Sequence, residues 1–207
     1  MTVIDSLKTL YYVHDPMCSW CWAFRPTLTK LLAALPSHIK VQYLVGGLAP
    51  DSDEPMDETT QAMIQKHWHT ITKKIPNTQF NFDFWANNTP KRSTYPACRA
   101  VLAAKTQAPN KEDAMILAIQ QAYYLQAQNP SDDDTLMHCA SSIGLDTKKF
   151  QQDLHAKHTQ QQLEQDIQQA QSMGVYSFPS LILEDNGKFK PIAIDYNHVE
   201  SILKQIT

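Results

Sequence analysis

Two cysteines three residues apart, Cys18 and Cys21, stand within His14-Asp15-Pro16-Met17-Cys18-Ser19-Trp20-Cys21-Trp22. A pair at this spacing can close a disulfide, pass through mixed disulfides, or supply half of a tetrahedral zinc site. A zinc site usually needs a second tight pair, and Cys98 and Cys139 are isolated from each other. The spacing therefore favours redox exchange. The thiolate is the nucleophile, and unpaired N–H groups together with the helix dipole stabilise negative charge at a helix N-terminus. A helix starting at Cys18 makes it the attacking sulfur; Cys21, about one turn further in and more buried, closes the disulfide. Asp15 is either a solvated turn carboxylate before Pro16 or an acid that accepts the Cys21 proton. His14 reads as a packed or solvated ring.

The elements that must position this pair follow from patterning. An apolar run at 9–13 leads into it as a strand, and Phe24, Leu28, Leu31, Leu32 and Leu35 share one face of the helix that follows. Pro26 lies inside that helix and should kink it, and Pro36 ends it. Residues 40–45 read as a second, buried strand, completing a β-α-β unit. From Asp51 the chain reads as helix after helix, over 56–75, 95–107, 111–126, 132–143 and 147–155, with an aromatic-rich irregular stretch at 77–90. An amphipathic helix at 158–173 stops at Gly174. Strands at 180–184 and 189–194 flank an Asp185-Asn186-Gly187 hairpin turn, and Pro191 confines the second strand to an edge. Asn197, with Glu200 three residues on, caps a final helix buried through Val199, Ile202, Leu203 and Ile206.

Strand, Cys-Ser-Trp-Cys, then helix resembles a thioredoxin-fold active site. The Asp15–Trp22 stretch with its long helical insertion is similar to the DsbA-like oxidoreductases, in their FrnE-like cytoplasmic branch of disulfide isomerases, over essentially the whole chain. The resemblance implies an α/β thioredoxin fold with a large all-helical domain inserted between its β-α-β and β-β-α halves. Residues 1–50 and 158–207 would form the thioredoxin-like domain and 51–157 the insertion. It also implies that Cys18 is the nucleophilic and Cys21 the resolving member of a redox-active pair. Phe178-Pro179 would be a cis-proline pair lying against the cysteines, its backbone free to meet an extended substrate and Phe178 offering an apolar surface. The chain departs from the periplasmic oxidase at Ser19-Trp20, where no histidine supports the thiolate. A couple less oxidising than DsbA, at about −120 mV, is expected.

The implied activity is reduction or isomerisation of protein or glutathione mixed disulfides, with no cofactor beyond a thiol donor such as glutathione. A glutathione-dependent transferase or isomerase of the kappa-like type shares this layout, though such proteins generally carry serine where this chain has Cys18. Of the flanking rings, Trp20 is expected as a partly exposed apolar platform for substrate and Trp22 as packed. Cys98, at the start of a helix, is a third redox thiol or a small buried hydrophobe, and Cys139 is core. Arg92, Ser93 and Thr94 either cap that helix or hold a glutathione carboxylate. A third reading is a client-binding or zinc-holding module built on the aromatic 80–85 stretch.

Composition bounds the rest. The 207 residues are 43% apolar and 19% charged, with net charge −3 and no sizeable basic cluster, which argues against nucleic acid. No apolar run reaches transmembrane length. Met1-Thr2-Val3-Ile4-Asp5-Ser6 has neither the basic nor the apolar region of an export signal, so a cytoplasmic location is expected. Four cysteines in that compartment are not a structural disulfide framework.

Overall fold

The first strand, β1 (Lys8–His14), lies between β2 (Ile39–Val45), to which it is parallel, and β3 (Ser180–Asp185), to which it is antiparallel. β3 pairs antiparallel with β4 (Lys188–Ile192), giving the order β2-β1-β3-β4. The computed structural model describes residues 7–206; the expectation about an export signal falls on residues 1–6, outside that range. A parallel pair needs a crossover, and helix α1 (Ser19–Ala34) supplies it. α1 remains one helix through Pro26.

Both faces of the central strands are covered, which is why β1 and β3 carry apolar side chains on both sides. Leu10 and Tyr12 pack with Phe24, Leu28 and Leu31 of α1 and with Ile202 and Ile206 of the last helix, α9 (Val199–Ile206). Val13, Leu44 and Ile182 face the other way, toward Val175 and Ala170. The expected stripe of α9 is buried, but its cap differs. Asp195 Oδ1 accepts from the N–H groups of Asn197 and His198, both at 2.9 Å, and Oδ2 from the Ser201 hydroxyl at 2.9 Å. These bonds draw the carboxyl down to about 2. A charged acceptor two residues upstream has displaced the Asn197/Glu200 box.

Seven helices intervene between β2 and β3: α2 (Glu58–Lys74), α3 (Phe84–Asn87), α4 (Tyr95–Gln107), α5 (Glu112–Tyr124), α6 (Asp133–Ser142), α7 (Thr147–Leu154) and α8 (Lys157–Ser172). This is a thioredoxin fold with a helical domain inserted between β2 and β3. α4 is the hub of the insertion: Ala97, Ala100, Val101, Ala103 and Ala104 are all buried, and small side chains let α5, α7 and α8 approach it closely. Cys139 sits in the same core, where burial pushes its thiol up to about 11. The aromatic stretch is interior as well. Phe80, Phe82, Phe84 and Trp85 surround Trp68 with ring centroids 4.9 to 6.1 Å away. These rings pack as one aromatic cluster, with Phe84 buried and Phe80, Phe82 and Trp85 half-buried.

Two turns depend on backbone freedom or space. Asn186 (φ 51°) and Gly187 (φ 76°) are both left-handed, as a two-residue hairpin requires. Gly46, whose N–H donates to the His14 carbonyl at 2.6 Å, lies directly beneath the Phe178 ring, and a Cβ there would overlap Cε1 and Cζ. Gly46→Ala is therefore expected to lower stability by about 1–3 kcal/mol. Adding Phe178→Ala should return part of that loss, and denaturant midpoints for the two singles and the double check the coupling.

Candidate active site

β1 ends at His14, and the chain then turns. The Cys18 N–H donates to the Asp15 carbonyl at 3.0 Å, and the Trp22 N–H donates to the Cys18 carbonyl at 3.0 Å. Cys18 is thus the residue that caps α1, with extended dihedrals (φ −82°, ψ 117°) and no capping bond from its side chain. Its sulfur stands where the first N–H groups of α1 lack helical partners. Both thiols are free, Cys18 6% exposed and Cys21 fully buried. The Cys18 thiol donates to the Phe178 carbonyl at 3.4 Å, and the Phe178-Pro179 peptide is cis. Residues 160 positions apart in sequence meet at one sulfur.

The two cysteines differ electrostatically. Burial pushes the Cys21 thiol well above the ordinary range, and the neighbouring Cys18 thiol raises it further. Tyr12, also buried, faces Cys21 from β1. Cys21 is therefore held protonated until something takes its proton. His14 is fully buried, stacked on Tyr12 with ring centroids 5.1 Å apart, and neither ring nitrogen has a hydrogen-bond partner among the described residues. Burial lowers its pKa to about 3, so the ring is neutral.

Asp15 is not a solvated turn residue. It is fully buried and accepts four hydrogen bonds: Met17 N–H to Oδ1 (2.8 Å), and to Oδ2 the Leu48 N–H (2.7 Å), the Thr94 hydroxyl (2.6 Å) and the Cys98 thiol (3.5 Å). Burial raises its pKa, while the bonds from Thr94, Leu48 and Met17 oppose the rise. Cys98 is a buried donor in this network. Burial, then the charge of Asp15, pushes its thiol well above the usual range, so it is not an activated surface thiol.

The structure redistributes the apolar surfaces around Cys18. Trp20 and Trp22 are both half-buried, the first against Tyr196 (5.4 Å) and the second stacked on Tyr124 (5.8 Å) with Nε1 donating to the Gln79 carbonyl at 3.0 Å. Trp20 is thus partly exposed, with Tyr196 against one side of it and a place in the lining of the cleft at Cys18. The Phe178 ring turns onto Gly46, which leaves its carbonyl, more than its ring, facing the site. The exposed apolar groups are instead Leu48 (39%), Met63 (45%) and Tyr176 (76%), which share with Cys18, Trp20 and Phe178 a cleft of about 280 Å³. Sequence reasoning missed these three. A separate cavity of about 440 Å³, beside Arg25 and Tyr196, is lined by no cysteine. Among the described residues no group of three or more His, Cys, Asp or Glu could hold a metal ion.

A family model described as thioredoxin (Thioredoxin_5) matches residues 11–205. The chain belongs to this thioredoxin family. Within it, the chain is similar to the crystal structure of a candidate protein disulfide isomerase from Nitrosomonas europaea, at 26% identity over 95% of this chain and 94% of that one, with a TM-score of 0.83. The fold is also that of the cytosolic disulfide reductase DsbM from Pseudomonas aeruginosa (21% identity, 89% of each chain, TM-score 0.75), which has been solved with GSH as well. Among curated proteins, the ClpXP adapter protein SpxH of Halalkalibacterium halodurans is 28% identical over 201 residues, 95% of this chain. The chain spans 65% of the length of that relative.

Removing the Asp15 carboxylate leaves buried donors unpaired, so Asp15→Ala is expected to lower stability by about 1–3 kcal/mol. Its pH dependence has a defined sign. The folded carboxyl keeps its proton above about 3.9, where an unfolded aspartate loses it. The folded state binds more protons across that interval, so Asp15 makes stability fall as pH rises from there to its folded pKa. Asp15→Ala should lack that segment of slope, which denaturant midpoints of both proteins across the acid-to-neutral range will reveal.

Proposed function

We propose that the chain is a cytoplasmic thiol–disulfide oxidoreductase of the FrnE-like kind, acting as reductase or isomerase on protein disulfides or glutathione mixed disulfides. The observation that carries this reading is the Cys18 sulfur at the start of α1, 3.4 Å from the carbonyl of the cis Phe178-Pro179 peptide. The Cys18 thiolate attacks one sulfur of the substrate disulfide; that S–S bond breaks, and the departing thiolate takes up a proton. Cys21 then gives up its proton, with Asp15 as the nearby acceptor, and attacks Cys18 Sγ. The second substrate thiol leaves, two electrons having passed to the substrate, and Cys18–Cys21 is a disulfide. A thiol donor such as glutathione restores the pair, and no other cofactor takes part. Trp20, Phe178 and Pro179 form the substrate wall. Residues 1–50 and 158–207 form the thioredoxin-like domain and 51–157 the insertion, a division supported by Asp166 of α8 accepting from the Val45 N–H of β2 at 3.2 Å. The cytoplasmic assignment is supported by the cytosolic disulfide reductase with the same fold, and among the described residues no helix is long and apolar enough to cross a membrane.

A second reading is a polypeptide-binding adapter, favoured by the likeness to SpxH and by Leu48, Met63 and Tyr176 exposed around the cleft. Substitution separates the two. For the oxidoreductase, Cys18→Ser and Cys21→Ser each abolish disulfide reduction, and Cys21→Ala accumulates proteins or glutathione linked to Cys18. An adapter keeps its polypeptide binding in Cys18→Ser and reduces nothing. A kappa-like transferase would keep full activity toward glutathione and a small electrophile in Cys21→Ser. The oxidoreductase reading carries a further expectation for the couple. With Ser19-Trp20 in place of a histidine, its potential should be more reducing than about −120 mV, which equilibration against a glutathione buffer checks.

A further inference from the structure

The cleft over Cys18 has a chemical polarity that the exchange reaction alone does not require. Leu48, Met63 and Tyr176 make one part of its wall apolar, while Lys91 and Arg92 line another, and none of the residues lining it is acidic. Lys91 has an ion-pair partner in Asp53 at 3.4 Å, but the Asp53 side chain is fully exposed and the pair correspondingly weak. Arg92 is half-buried and has neither a carboxylate nor a hydrogen-bond partner among the described residues. A guanidinium partly withdrawn from water without a counter-charge gains most from an incoming anion, and its planar fork suits a carboxylate.

Nor is Arg92 on a loose loop. On one side, Pro55 and Lys91 form an antiparallel bridge and the Met56 N–H donates to the Pro90 carbonyl at 2.7 Å. On the other, the Ser93 carbonyl accepts from the Ser131 hydroxyl at 2.7 Å, and the Thr94 hydroxyl is bound to Asp15 at 2.6 Å. The same carboxylate that accepts from the Met17 N–H beside Cys18 thus fixes the backbone two residues after Arg92.

We infer that Arg92, assisted by Lys91, is a carboxylate-binding subsite that selects disulfides carrying a carboxylate next to the reacting sulfur. The inference rests on the oxidoreductase reading and names its substrate class. The carboxylate comes either from an acidic residue flanking a cysteine in a polypeptide or from glutathione. In the step concerned, Cys18–S⁻ attacks R–S–S–R to give Cys18–S–S–R and R–S⁻, and the subsite holds the carboxylate of the R group that becomes bonded to Cys18.

The test uses the reduced full chain and single-turnover rates with matched disulfides. One pair is glutathione disulfide against cystamine; the other is two short symmetric peptide disulfides with the same apolar neighbours, bearing Glu or Lys beside the cysteine. Each rate is divided by that with neutral 4,4′-dithiodipyridine, which removes any change in the intrinsic reactivity of Cys18. The carboxylate-bearing member of each pair should react about ten-fold faster or more, the scale of one charge-assisted hydrogen bond. Added salt should shrink that preference. Arg92→Gln should bring the ratios close to one, and Arg92→Lys should keep part of them. Loss in the glutathione pair alone assigns the subsite to glutathione, and loss in the peptide pair alone assigns it to polypeptides. Ratios near one in the natural chain, or ratios unchanged in Arg92→Gln, overturn the subsite and leave the oxidoreductase reading standing. Failure of Cys18 to exchange with any of these disulfides overturns both.

Discussion

A single buried carboxylate joins the parts of this molecule that must stay in register. Asp15 accepts from the loop that carries Cys18, from the Leu48 N–H after β2, and from the side chains of Thr94 and Cys98 at the start of α4. Without it the Met17 and Leu48 N–H groups would lose the acceptor they have here. The sheet and the inserted helices thus share a polar contact directly beneath the reactive loop. Desolvation works against the charge that makes the clasp, and the converging donors offset it. This is the usual balance for a buried ionisable group that is kept for geometry.

The clasp gives the two sulfurs unlike surroundings. Cys18 stands at the open end of a helix, beside a carbonyl and a cleft; Cys21 lies under it, enclosed by Tyr12 and by Cys18 itself. An exchange reaction needs this asymmetry, because one sulfur must meet the substrate while the other waits until a mixed disulfide forms. The inserted helices contribute by enclosure. Tyr124 of α5 stacks on Trp22, and its hydroxyl donates to the Met17 carbonyl at 2.7 Å, so the insertion braces the loop.

What was legible in the sequence was what local patterning controls. The strand into Cys18, the helix after it and the hairpin at Asn186-Gly187 were all readable, because periodicity, capping and turn chemistry act within a few residues. Helix ends shifted by only a residue or two; the helix expected at 56–75 became Glu58–Lys74, with Asp57 as its cap. Less legible was whatever a distant partner decided. For Asp15 the choice between a solvated carboxylate and a buried acid stayed open, because its acceptor role depends on Leu48 and Thr94, 33 and 79 residues away. Nor did any local pattern bring the Phe178 ring onto the bare backbone of Gly46. The cap of α9 was misread at short range, where the charge of Asp195 displaced Asn197. The exposed trio of Leu48, Met63 and Tyr176 had no local signature, since apolar residues at separate positions form a wall only after folding.

The sheet margins have their own consequence. Any four-stranded open sheet leaves two rims where further chains could zip on by backbone pairing. Here one rim carries Pro191, flanked by the exposed Lys188 and Lys190, so it presents a missing donor and repelling charge. At the other, the Val45 N–H is already taken by Asp166 of α8. Incoming strands are discouraged on both sides.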